Sequence, residues 1–134
     1  MHAVTHTASV SPRLALVGRI VSGLVVLFLT FDAVAKVLMV PAVIEASTQL
    51  GVPESAIVGI GLVLLACTAL YVVPPTAVLG AILLTGYLGG ATATHVRTGG
   101  PVFPVVFAVV FGVLVWGGLY LREPRLHGLL PLRR

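Results

Sequence analysis

Four apolar stretches, separated by prolines, glycines and charged positions, set the plan of the chain. They run over about residues 14–40, 55–73, 76–96 and 102–121. Each is close to the roughly 20 apolar residues that an α-helix needs to cross a hydrocarbon core. The pattern predicts an all-α protein: an integral membrane four-helix bundle, up-down-up-down.

Each break in the pattern has a local cause. Pro41 restricts its predecessor and stops the first helix, while VPES at 52–55 puts Pro53 and Glu54 into a new first turn, where both are favourable. Pro74-Pro75 makes so short a connection that the second and third spans must be antiparallel neighbours. Gly99, Gly100 and Pro101 interrupt the chain again, and Pro124 follows the fourth span. Between the first two spans, AVIEASTQLG at 42–51 is too short to cross a bilayer; it reads as a short interfacial segment with Glu45 and Gln49 on one face. No fixed-period repeat or low-complexity linker divides the chain, so residues 1–134 are expected to form one domain with short tails at 1–13 and 122–134.

Composition supports the membrane assignment: 58% of residues are hydrophobic, 9% are charged, and the mean hydropathy is +1.14. The net charge of +4 does not mark a nucleic-acid binder, because no patch combines basic and aromatic residues. Arg13, Arg19, Arg122, Arg125, Arg133 and Arg134, six of the eight basic residues, instead flank the apolar part. Their bias places both termini in the cytoplasm of a multi-pass cell-membrane protein, with Arg97 alone among the loop residues voting against. Arg13 and Arg19 before IVSGLVVLFLTF and DAVA have the layout of a cleavable signal. The apolar stretch nevertheless continues through VLMV, and Asp32 interrupts the approach to the cleavage site, so a retained first span is expected. The single cysteine, Cys67, reads as a small core residue.

Ionisable groups inside a membrane are expensive, so they are the first places to look for chemistry. Asp32 and Lys36, four residues apart, share one face of the first span. That spacing fits an internal ion pair that orients the helix, or a proton or ligand site. Counted from Val40 at about 1.5 Å per residue, Lys36 lies about 6 Å and Asp32 about 12 Å from the outer end, the level at which an antiparallel third span carries His95 and Arg97. Glu45 is near enough in sequence to join them, and Tyr87 is more central than Tyr71, Trp116 and Tyr120, which read as headgroup-level aromatics. The expected ligand site is therefore Asp32, Lys36, Glu45, Tyr87, His95 and Arg97, with His95, Asp32 and Lys36 as candidates for any catalysis. No metal site is expected, since His2, His6 and His127 lie towards the ends and no zinc-ligand spacing occurs. Haem is disfavoured because a second axial histidine within a span is missing. Gly86, Gly89 and Gly90 leave one side of the third span nearly free of bulk, which predicts close helix packing there.

The runs FDAVAKVLMVP, LLTGYLGGATATHVRTG and WGGLYLREPRLHGLLPLR together resemble the DoxX-like family of small four-helix membrane proteins, over nearly all of the chain from about residue 14. The positions carrying the likeness are Lys36, Gly86, Gly89, Gly90, His95 and Arg97; the second span departs from it by lacking an acidic residue. The wider family includes a membrane subunit of an archaeal thiosulfate:quinone oxidoreductase, a membrane partner of mycobacterial oxidative-stress enzymes and a relative used in methylamine dehydrogenase maturation. The resemblance implies an accessory or quinone-proximal component of a redox or oxidative-stress system, with quinone as the cofactor class and a redox enzyme, the bilayer or a second copy as partner. The alternative is a stand-alone membrane isomerase or oxidoreductase acting on a lipophilic substrate, with His95 as acid or base. A transporter is disfavoured, since discontinuous paired helices are not evident.

Overall fold

The computed structural model describes residues 11–128. His2, His6, Arg133 and Arg134, and with them most of the expected tails, lie outside the described residues. Five α-helices follow one another: α1 (Pro12–Val37), α2 (Pro41–Gln49), α3 (Glu54–Val72), α4 (Ala77–Thr98) and α5 (Phe103–Arg122). All but α2 are long and apolar enough to cross a membrane.

Helix ends follow local rules, and two of them depart from the expected boundaries. Pro12, Pro41 and Pro104 lie in first turns, where a missing N–H costs nothing. α4 runs to Thr98, two residues beyond the expected end, and Gly99 closes it at φ 67°. α1, by contrast, ends at Val37 and not at Val40. Met39 adopts φ 53°, its N–H donates to the Lys36 carbonyl, and the Val40 N–H reaches back to Ala35. A left-handed residue thus stops the helix before Pro41 acts, and Lys36 occupies its last turn.

The four long helices form a square: α1 packs on α3 and α5, and α4 packs on the same two. Among the described residues the backbones of the diagonal pairs do not approach each other, and α2 leans across α3 and the end of α1. Unlike a water-soluble bundle, the square is apolar on its outside as well as at its centre. Phe31 (74% exposed), Leu24, Leu27 and Val113 face outward, while Val25, Leu29, Leu64, Leu84, Val115 and Leu119 fill the centre. With apolar side chains on both sides, helix association rests on close packing and hydrogen bonds more than on water exclusion.

The close packing lies at other glycines than those singled out by sequence. A Cβ on Gly18 would lie 2.7 Å from Leu121 Cβ, one on Gly118 would lie 2.6 Å from Ser22 Oγ, and one on Gly61 would lie 2.9 Å from the Ala33 carbonyl oxygen. At Gly80 it would fall on the Leu70–Tyr71 backbone, 2.5 Å from Tyr71 Cα. Three of the four sides of the square are therefore backbone contacts. Gly86, Gly89 and Gly90 have nothing within 4 Å of the added carbon, so within this chain they are not packing residues. Low bulk on a helix face is equally what a wall beside an open space requires.

Hydrogen bonds tie the square together. Tyr71, at the end of α3, faces into the bundle and is fully buried (0% exposed); its hydroxyl donates to the Val115 carbonyl at 2.7 Å and lies 3.1 Å from Ser22 Oγ, joining α3, α5 and α1. Trp116 Nε1 donates to Thr85 Oγ1 at 2.7 Å, joining α5 to α4. Beyond Arg122 the chain does not leave as a tail: a 3-10 turn over Pro124–Gly128 folds back, burying Leu126 and stacking His127 on Tyr120 with centroids 4.0 Å apart.

Candidate small-molecule site

At the end of the square that carries α2, the helices leave a cavity of about 770 Å³. Its walls come from stripes repeating every three or four residues, as one helical face does. α1 contributes Phe28, Asp32 and Lys36; α4 contributes Tyr87, Ala91, Thr94 and His95; and α5 contributes Phe103, Phe107 and Phe111. Ile57 and Ile60 of α3 and the Val43, Ser47 and Leu50 face of α2 complete the enclosure. Gly86 and Gly90 also border it, which accounts for the missing bulk on α4.

The walls combine a large apolar surface with a few polar groups. Phe28 meets Phe107 and Phe111 at centroid distances of 5.2 and 4.7 Å, and Phe107 and Phe111 are 4.6 Å apart. Such tilted aromatic pairs stabilise one another and offer ring faces to a flat ligand. Opposite in character, Lys36 Nζ donates to Asp32 Oδ2 at 2.5 Å, the one ion pair among the described residues. The Lys36 side chain is 15% exposed and that of Asp32 34%, so the pair lies on the cavity wall without being sealed from it. Thr94 has already committed its hydroxyl to the Gly90 carbonyl.

Four of the six expected site residues therefore share one cavity: Asp32, Lys36, Tyr87 and His95. Arg97 does not join them. It is exposed in the last turn of α4, two residues and so about 200° around the helix from His95. Glu45 is also exposed, because α2 turns Val43, Ala46, Ser47 and Leu50 inward and leaves Glu45 on its other side. The aromatic wall lies outside the expected site, although Phe103, Phe107 and Phe111 stand four apart in FPVVFAVVF and are readable as one stripe. Nothing in the α2 segment marks Ser47 or Leu50 as lining residues. Among the described residues no three His, Cys, Asp or Glu side chains gather as metal ligands.

A family model described as the DoxX-like family matches residues 20–118, a range that contains every residue of the cavity wall. No curated protein and no solved structure matches the chain.

Proposed function

The chain belongs to the DoxX-like family of membrane proteins, and on that premise we propose that it binds a lipophilic ring compound of the quinone class as an accessory component of a redox or oxidative-stress system. The observation that carries this reading is the set of Lys36, Asp32, Tyr87 and His95 in a largely apolar, phenylalanine-walled cavity. About 770 Å³ falls in the range of small-molecule sites, which are mostly apolar with a few polar groups that fix orientation. Lys36, Tyr87 and His95 carry N–H or O–H groups that ring carbonyl oxygens accept, and the phenylalanines suit the ring faces and an attached hydrocarbon tail. A bound quinone would supply two-electron redox chemistry; the chain's part is to hold and orient the ring and to supply donors at its oxygens.

Mass analysis of the lipid extract from protein purified out of native membranes tests this. A quinone is expected at near-stoichiometric amount in the wild type and at about a tenth of that or less in His95→Ala, the loss that one charge-assisted or well-placed hydrogen bond produces. No quinone in the wild type, or the same amount in His95→Ala, would refute the reading. A second reading, acid–base catalysis on a lipophilic substrate, is favoured by the place of His95 on the wall; turnover unchanged in the same variant would end it.

For orientation, we place the end bearing Arg13, Arg19, Arg122 and Arg125 in the cytoplasm, which puts the cavity in the outer half of the cell membrane. A green fluorescent protein fused to the C-terminus should then fluoresce and an alkaline phosphatase fusion should be inactive. The reverse pattern would move the cavity to the cytoplasmic side.

A further inference from the structure

At the opposite end of the square a smaller recess of about 200 Å³ opens between α1, α3 and α5. Arg19 and Arg122 stand on its walls with Ser22 and Tyr71, and no acidic side chain lines it. Packing sets the level of the two arginines. A Cβ on Gly18 would meet Leu121 and the backbone nitrogen of Arg122, so the residues bearing the two guanidinium groups start at nearly the same depth. α5 has 20 residues and spans about 30 Å, so Arg122 at its end lies where hydrocarbon gives way to headgroups.

The two arginines differ in freedom. Arg122 Nη2 donates to the Tyr71 carbonyl at 3.1 Å, and its Cζ lies 4.8 Å from the centroid of the Tyr71 ring. Neither contact neutralises its charge. Its Nε is buried and has no hydrogen-bond partner among the described residues, and a buried donor left unmade carries its full desolvation penalty. Arg19 is exposed on α1 and free to reorient. One guanidinium is thus fixed in advance, the other can close, and the ion pair of the described residues is at the far end of the bundle.

We propose that this recess binds a phosphate group, with Arg122 as the fixed arm and Arg19 as the mobile arm of a clamp. The guanidinium fork presents paired donors that match phosphate oxygens, and basic pockets between helices near a membrane surface hold anionic headgroups. A phosphate on a lipid and a free phosphate ion present the same chemistry here. A zwitterionic headgroup fits less well, because its ammonium would face two guanidiniums with no carboxylate on the walls. The site is independent of the cavity at the α2 end.

The full chain in nanodiscs of mixed phosphatidylcholine and phosphatidylglycerol, released into native mass spectrometry, tests the lipid source; phosphatidylcholine discs with added inorganic phosphate test the free ion. Preferential retention of phosphatidylglycerol is expected, falling about fivefold in Arg19→Gln, the loss of roughly one basic contact at a membrane surface. Arg122→Lys keeps the charge and loses the fork, and should reduce retention as well. Arg19→Gln removes an exposed side chain, so its unfolding temperature should stay that of the wild type, separating binding from folding. Phosphate retained in the second arm, sensitive to Arg19→Gln and without lipid preference, would assign the clamp to the free ion. Equal retention of both lipids with no bound phosphate, or phosphatidylglycerol retention unaltered in Arg19→Gln, would overturn the proposal.

Discussion

Gly80→Ala should destabilise the protein by about 3 kcal/mol, the upper range for forcing a group into a packed site, while Gly86→Ala, six residues along the same helix, should leave stability unchanged or raise it by up to about 1 kcal/mol. The two substitutions are chemically identical and share one helix, so propensity cancels between them. What differs is the space. The new carbon at Gly80 would fall on the backbone of Leu70 and Tyr71, at the turn where α3 hands over to α4. Backbone there cannot step aside, because Thr76 Oγ1 bonds the Leu70 carbonyl at 2.8 Å and Tyr71 is held by α1 and α5 through its hydroxyl. At Gly86 the new methyl would enter open space beside the cavity. Unfolding in detergent, followed by the loss of helical circular dichroism, measures both. Equal effects at the two glycines would mean that α3 and α4 do not meet at Gly80.

The contrast also shows where sequence reasoning reaches its limit. Span number, order and approximate ends follow from hydropathy and from prolines, whose effects are local. LLTGYLGGATATHVRTGG shows that one side of α4 lacks bulk, but a bare helix face serves a close neighbour and an open cavity equally well. Only the placement of the other helices decides between them, and it puts the close contacts at Gly18, Gly61, Gly80 and Gly118. The wall of the candidate site is legible as far as helical spacing carries. Asp32, Lys36 and His95 are expected at one level, and they share one cavity with the more central Tyr87. Arg97 and Glu45 do not line the cavity, because depth alone does not fix the angle around a helix and both point elsewhere. The inward orientation of Tyr71 is hidden for a related reason. A tyrosine near a span end resembles a headgroup anchor unless its hydroxyl finds partners inside, and the partners of Tyr71, Ser22 and Val115, are more than 40 residues away in sequence.

The Asp32–Lys36 pair should respond asymmetrically to the loss of either partner. Lys36→Met leaves the Asp32 carboxylate on an apolar wall without its counter-charge. Removing one partner of a fully buried pair costs 3–5 kcal/mol, and the one-third exposure of Asp32 lowers the expected loss to about 2 kcal/mol. Asp32→Leu should cost about 1 kcal/mol or less, because Lys36 lies in the last turn of α1 and its long stem can carry the ammonium to the interface. The shorter Asp32 side chain, one turn deeper, has no such escape. The double variant Asp32→Leu/Lys36→Met should recover most of the stability, since apolar replacement of a buried pair is commonly neutral or favourable. Unfolding of the four proteins gives the cycle, and a double variant as unstable as the sum of the singles would rule out an electrostatic origin. The same protein separates the two roles of the pair. If the charges serve only to orient α1, the recovered double variant keeps the proposed lipophilic ligand on purification; if they hold that ligand's polar end, it folds normally and comes out empty.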